Sequence, residues 1–207
     1  GLGDVYKRQN IYIPEMNLGG GFGVYYVDGD TEVDIEKFMQ SMISHIEKTL
    51  EKENMKLDRV SIEPGRSIVG NAGGTLYTVG GTKETYGGVK YVFIDGGMTD
   101  NIRPALYQAQ YEAVVANKLD ETPSETVTIA GKCCESGDLI GKNMSLAKAH
   151  EGDLIFVPTT GAYGYSMSSN YNKALRPAVV FVKDGKSCLS IKRETYEDLV
   201  SKDIFLD

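Results

Sequence analysis

Cysteine is scarce in this chain, and long apolar runs are missing. The 207 residues hold three cysteines, at 133, 134 and 188. An odd count with two adjacent members is not a disulfide framework. Without C-x-x-C spacing the usual zinc arrangement is also excluded, and no metal site is expected. A reducing, cytoplasmic setting fits such cysteine usage. No apolar stretch approaches the roughly 20 residues of a membrane-spanning helix. Gly1–Asn10 has no apolar core of the kind a signal peptide carries. Positive charge is not in excess either: 22 Lys and Arg against 29 Asp and Glu leave a net charge of −7. That balance disfavours nucleic acid and anionic membranes as partners. What remains is an ordinary globular composition, 41% hydrophobic and 25% charged, long enough for one or two packed cores.

Residues 1–9 fit no element and stay unassigned, with a non-native origin open. Ile11 to Leu18 reads as a short buried strand that runs into Gly19-Gly20-Gly21-Phe22-Gly23, a tight glycine turn. A helix follows. Ile35, Phe38, Met39, Met42, Ile43, Ile46 and Leu50 fall on one helical stripe with charged and amide residues opposite. Asp30 or Thr31 is its expected cap. His45 lies beside the stripe and reads as a surface or boundary residue. Arg59 to Ile62 is a second strand, which makes residues 11–67 one strand–helix–strand unit. A single such unit leaves a parallel sheet uncovered.

Beyond Ser67 the texture changes to frequent glycines and short β-rich runs: Val89–Ile94, Glu112–Ala116, Thr126–Ala130 and Leu154–Val157. Ala178–Val182 and Cys188–Ile191 flank Asp184-Gly185, a turn pair favoured in hairpins. Thr195 with Asp198 can cap a short last helix. The expectation for this stretch is an antiparallel β-domain.

Chemistry concentrates in clusters. Glycines 19–21 and the loop Glu63-Pro64-Gly65-Arg66 each follow a strand. Such loops can cradle a phosphate through backbone N–H groups, with Arg66 adding a charge-assisted bond, or can be plain tight turns. Asp95-Gly96-Gly97 leads to Arg103 and Tyr107. If that turn is helical they share a face and can grip a carboxylate; otherwise they are a surface arginine and a packing tyrosine. Cys133-Cys134-Glu135-Ser136-Gly137-Asp138 places thiols beside carboxylates. Those should raise a thiol's pKa, which suits a proton donor more than a nucleophile, although buried structural cysteine is the commoner fate. Residues 161–172 set Tyr163 between glycines, fit to touch a planar ligand or simply to line a loop.

Together and in this order, NLGGGFG, EPGRS, DGGMTDNIRPALY, CESGD and GAYGYSMSSNYN resemble the diaminopimelate decarboxylases, pyridoxal-phosphate enzymes with an alanine-racemase-like barrel. The resemblance covers about Asn17 to Leu206. It implies a fold class of α/β plus all-β: residues 10–68 as the C-terminal strand–helix–strand of a (β/α)8 barrel, then residues 69–207 as an antiparallel β-domain, barrel- or sandwich-like.

By position it implies cofactor contacts at Gly20, Gly21, Glu63, Pro64, Gly65, Arg66 and Tyr163, with Glu63 facing the pyridine nitrogen. It implies substrate contacts at Arg66, Arg103, Tyr107, Glu135 and Tyr163. Cys134 is the implied proton donor, contributed with Glu135 by the neighbouring subunit of a homodimer. Ornithine-type relatives carry aspartate at the position of Glu135, so the glutamate favours meso-2,6-diaminopimelate, converted to L-lysine and carbon dioxide. Lys132-Cys133 stand where the family often has a proline-containing turn. No segment matches the motif of the cofactor-anchoring lysine, and the first six barrel strands have no counterpart here. The chain alone is therefore expected to be inactive and poorly folded. Related decarboxylases of arginine, ornithine or carboxynorspermidine, and a non-catalytic dimerising module, are the alternatives.

Overall fold

The computed structural model describes residues 9, 12–31 and 33–204. The unassigned opening 1–8 and Ile11 of the expected first strand lie outside them. The chain divides into two compact units, one of residues 1–25 and 30–68, the other of residues 26–29 and 69–207.

In the first unit β1 (Glu15–Asn17) pairs in parallel with β2 (Arg59–Ser61), joined by α1 (Ile35–Glu53). The strand–helix–strand reading therefore holds. The helix starts at Ile35, the first residue of the apolar stripe. Asp34 is the N-cap, its carboxylate accepting from the Lys37 N–H at 3.1 Å, so neither Asp30 nor Thr31 caps it. Asn54 ends the helix in the left-handed region, with φ 48°. The expected burial of the first strand does not occur: β1 is exposed at every position and α1 has no buried residue. Phe38 meets Phe22 edge-on with ring centroids 5.6 Å apart, yet stays 47% exposed. One helix laid on two strands has too little partner surface to exclude water.

The second unit is built on a six-stranded sheet in the order β5-β8-β3-β4-β6-β7. Its strands are β3 (Thr75–Glu84), β4 (Lys90–Ile94), β5 (Val114–Val115), β6 (Glu125–Ala130), β7 (Leu139–Leu146) and β8 (Leu154–Val157). One face is the core, where Tyr77 and Val79 of β3, Val92 and Ile94 of β4, and Ile155 and Val157 of β8 are buried at period two. The sheet is mixed, which corrects the antiparallel expectation: β4 and β6 pair in parallel. A parallel pair needs a crossover. The short helix Gly65–Val69, α2, precedes the sheet; residues 95–124 supply the crossover and carry its helix, α3 (Arg103–Tyr107). The sheet is open, since β5 and β7 are its edges.

A separate hairpin, β9 (Val179–Lys183) and β10 (Lys186–Ile191), turns through Asp184 at φ 52° and Gly185 at φ 71°. These are the two positive φ values that an Asp-Gly turn supplies. The last helix, α4 (Tyr196–Val200), begins with a complete capping box between Thr195 and Asp198.

The loop before β8 is fastened by Asp153. Its carboxylate accepts from Lys118 Nζ at 2.6 Å, the His150 N–H at 2.7 Å and Asn117 Nδ2 at 2.8 Å. Burial alone would raise this acid, but the bonds from Lys118, Asn117 and His150 outweigh it and hold its pKa down to about 2. A carboxyl depressed on folding adds stability above its unfolded pKa near 3.8 that is lost as the pH falls through about 2. The shift corresponds to roughly 2 kcal/mol. Asp153→Asn should therefore flatten the fall in melting temperature between pH 4 and pH 2. A variant that loses as much as the parent in that window would remove Asp153 from the acid response.

Candidate active site

In the first unit the end of β1 and the loop after β2 approach closely. The Glu63 N–H donates to the Gly19 carbonyl at 2.7 Å, and the Leu18 N–H to Ser61 at 2.9 Å. A Cβ on Gly20 would stand 2.3 Å from the Glu63 carbonyl oxygen, so only glycine permits the approach. Gly21 adopts φ +86° with open space before it. The N–H groups of Gly20 and Gly21 make no hydrogen bond among the described residues. Asn17 Nδ2 donates to Glu63 Oε1 at 2.7 Å, which fixes one oxygen of that exposed carboxylate. Pro64 closes the turn: its carbonyl accepts from both the Ser67 N–H (2.9 Å) and its hydroxyl (2.6 Å). Gly65 and the half-buried Arg66 open α2. Asn17 was not singled out as a site residue, although it lies inside the NLGGGFG motif.

In the second unit the helical turn α3 carries Arg103 and Tyr107 on one face, as their spacing suggested. Arg103 is only 8% exposed, not a surface arginine. Its guanidinium carbon lies 5.4 Å from the ring centres of both Tyr107 and Tyr163 and 5.9 Å from that of Tyr26. Cation–π attraction acts at these distances. Its Nε donates to the Tyr111 hydroxyl at 3.0 Å. Tyr111 in turn meets Tyr26 edge-on at 5.3 Å. No carboxylate pairs with Arg103 among the described residues. Tyr26 and Tyr111 were missed from sequence, where nothing separates them from the other tyrosines.

Tyr163 reaches Arg103 from a strained turn, with φ 68° at a residue that is not glycine. Gly161 imposes the turn. A Cβ there would come 2.0 Å from the Val69 carbonyl oxygen, and its N–H donates to Gly70 at 3.1 Å.

Cys134 and Glu135 are exposed at the tip of the loop between β6 and β7. Glu135 Oε1 accepts from the Gly137 N–H at 3.2 Å, and no hydrogen bond or ion pair joins either residue to Arg103, Tyr107 or Tyr163. The expected rise in thiol pKa falls on Cys133. Burial first, then Asp138 beside it, pushes Cys133 up to about 11, so it remains a thiol at neutral pH. An open groove of about 1030 Å³ runs along Pro104, Gln108, Tyr111, Ser136, Gly137 and Met144. None of Arg103, Tyr107, Cys134, Glu135 and Tyr163 lines it.

Residues 5–161 match the model of the C-terminal sheet domain of the pyridoxal-dependent decarboxylases, and the chain belongs to that family. Among its relatives, the diaminopimelate decarboxylase of Bacillus subtilis (strain 168) is 52% identical over 189 residues, 91% of this chain and 43% of that protein. The diaminopimelate decarboxylase of Staphylococcus aureus (strain COL) is 47% identical over 198 residues, 95% of this chain and 47% of that protein. The crystal structure of the M. jannaschii diaminopimelate decarboxylase in complex with L-lysine superposes with a TM-score of 0.87 at 36% identity, covering 98% of this chain and 45% of that one. The chain thus spans less than half the length of each of these relatives.

Membership implies pyridoxal phosphate as cofactor. The group needs donors for its phosphate and a carboxylate for its ring nitrogen. The described residues fit on both counts. The Gly20–Gly21 turn leaves two N–H groups without a hydrogen-bond partner among the described residues, with open space before Gly21, and Glu63 presents a carboxylate already oriented by Asn17. No helix among the described residues is long and apolar enough to cross a membrane.

The Arg103–Tyr111 bond is open to direct measurement. Burial pushes the Tyr111 phenol above its ordinary pKa, against the opposing Arg103 charge, so it stays a hydroxyl. Tyr111→Phe strips a buried cation of a hydrogen-bond acceptor and should cost about 1.5–3 kcal/mol in urea unfolding. A loss below about 0.5 kcal/mol, the scale of an ordinary surface change, would show that the bond does not hold Arg103 in place.

Proposed function

We propose that this chain is the substrate-binding and proton-donating portion of a decarboxylase that converts meso-2,6-diaminopimelate to L-lysine and carbon dioxide, using pyridoxal phosphate. The observation that carries the reading is the buried Arg103, caged by tyrosines and lacking an acidic partner among the described residues. A buried cation of that kind is poised for an anionic ligand group. Relatives 47–52% identical over more than nine-tenths of the chain bear the name of this decarboxylase, and that supports the choice of substrate. In this reading residues 10–68 are the last strand–helix–strand of a (β/α)8 barrel and residues 69–207 the sheet domain after it. The free thiols of Cys133, Cys134 and Cys188 suit a cytoplasmic enzyme.

Bound pyridoxal phosphate supplies the electron sink for bond cleavage at Cα. The Gly20 and Gly21 N–H groups and Arg66 would hold the phosphate, and Pro64-Gly65 would shape the loop that carries Arg66. Glu63 keeps a proton on the ring nitrogen by holding a negative charge against it. Arg103 and Tyr107 bind a substrate carboxylate. Tyr163 packs against both ligand and guanidinium. As the Cα–carboxylate bond breaks, carbon dioxide leaves and its electron pair stays with the Cα side. The Cys134 thiol then delivers the proton that forms the new Cα–H bond, and water restores the thiol. Glu135 pairs with the distal ammonium of the substrate. Both Cys134 and Glu135 serve the site of a second copy in a homodimer. Their exposure at a loop tip, with no bond to the Arg103 cage, supports that arrangement. No segment here matches the cofactor-anchoring lysine, so the 207 residues by themselves are inactive in this reading.

In the whole protein loaded with cofactor, meso-diaminopimelate should be turned over in preference to ornithine, arginine and carboxynorspermidine. Cys134→Ala should lower kcat by about 10²–10⁴-fold. Mixing inactive Cys134→Ala with inactive Arg103→Ala should restore up to about a quarter of wild-type activity, since one site in each hybrid two-fold dimer is then intact. Faster turnover of ornithine would reassign the substrate, and no recovery on mixing would place Cys134 in its own subunit's site.

A further inference from the structure

Asp138 is 2% exposed, and its charge is met by backbone N–H groups. Oδ1 accepts from the Met98 N–H at 2.6 Å and Oδ2 from the Cys133 N–H at 2.7 Å. Its carbonyl accepts from the Gly131 N–H at 2.9 Å, and next to it the Lys132 N–H donates to Gly96 at 3.1 Å. The carboxylate occupies a slot that only glycine leaves open. A Cβ on Gly97 would lie 2.3 Å from Oδ1, and one on Gly131 would lie 2.2 Å from Oδ2. The two donors belong to different loops. Cys133 directly precedes Cys134 and Glu135, whereas Met98 sits in the turn that leads to Arg103. Hydrogen bonds to a buried charge are about twice as strong as neutral ones and fix geometry accordingly.

We propose that Asp138 is a positioning residue, a buried carboxylate that fastens the base of the Cys134–Glu135 loop to the turn carrying Arg103 and so orders both the groups this chain presents to a second copy and the group it keeps for its own site. Its part in turnover rests on the decarboxylase reading, while its control of loop order does not. Asp153 in the same unit is the contrasting case, because its carboxylate is answered by a lysine and fastens loops that bear no proposed site residue.

Two variants probe the tie. Asp138→Asn keeps the volume but turns one acceptor into a donor facing an N–H. Gly131→Ala keeps the carboxylate and intrudes on its slot. In the whole protein, peptide-resolved hydrogen exchange should quicken by about tenfold or more at the amides of Cys133 and Met98, the effect of losing a bond to a charged group. The amides of β8 should exchange as before. With meso-diaminopimelate, kcat per folded molecule should fall by a similar factor in both variants. Unchanged exchange at Cys133 and Met98 would overturn the proposal. So would equal acceleration in β8, the mark of a general stability role, and so would loosened loop amides with kcat intact. If the parent protein does not act on meso-diaminopimelate, the function proposed above fails, and the exchange result still decides whether Asp138 orders the loops.

Discussion

A guanidinium taken out of water must be solvated by something else, and much of the second unit is arranged to do that for Arg103. Ring faces supply part of the field and the Tyr111 hydroxyl supplies a fixed acceptor. Each partner comes from a different stretch of chain. Tyr107 is one helical turn away, and Tyr111 lies on the path into β5. Tyr163 arrives on a strained turn held down by Gly161. Tyr26 belongs to the four-residue segment 26–29, which groups with the sheet unit while its sequence neighbours on both sides group with the other. One cation thus brings together the crossover helix, the turn that carries Tyr163 and a segment far away in sequence.

The acidic excess has a structural use as well. Asp100, Asp138 and Asp153 are turned inward, and each accepts hydrogen bonds from the turn or loop it serves. Gly96, Gly97 and Gly131 are glycines because carboxylates and the Tyr77 ring fill the space a side chain would need. Net charge therefore describes this surface poorly, since several of its acids are fasteners of irregular backbone near the sheet's ends.

Elements whose signal is local were legible in the sequence. The α1 stripe, the Asp-Gly hairpin, β8 and the Thr195 capping box all form where residue pattern alone put them, because a period, a turn pair or a cap is complete within a few residues. Strands β3 and β7 were not foreseen. Both carry glycine or a polar run at a register shift, Gly80-Gly81 in one and Gly141 to Asn143 in the other, which interrupts alternation. The parallel pairing of β4 with β6 depends on how a thirty-residue crossover folds, and no local feature announces it. In the candidate site, glycine clusters and the Arg103–Tyr107 spacing were readable. The packing tyrosines and the inward turn of Asp138 were not, since their meaning lies in contacts across the fold.

The proposed site residues fall into two physical kinds. Arg103, Tyr107 and Tyr163 are held by rings and tight turns, as the proposed task of orienting a ligand requires. Cys134 and Glu135 stand outward on a loop tip whose base is pinned while its side chains face solvent. A rigid base with solvent-facing side chains suits groups that act outside the core presenting them. It also explains why adjacent cysteines differ so sharply. Cys133 belongs to the pinned base, beside Asp138 and held as a thiol, and Cys134 begins the exposed tip. One peptide bond separates the residue that anchors the loop from the residue the loop presents.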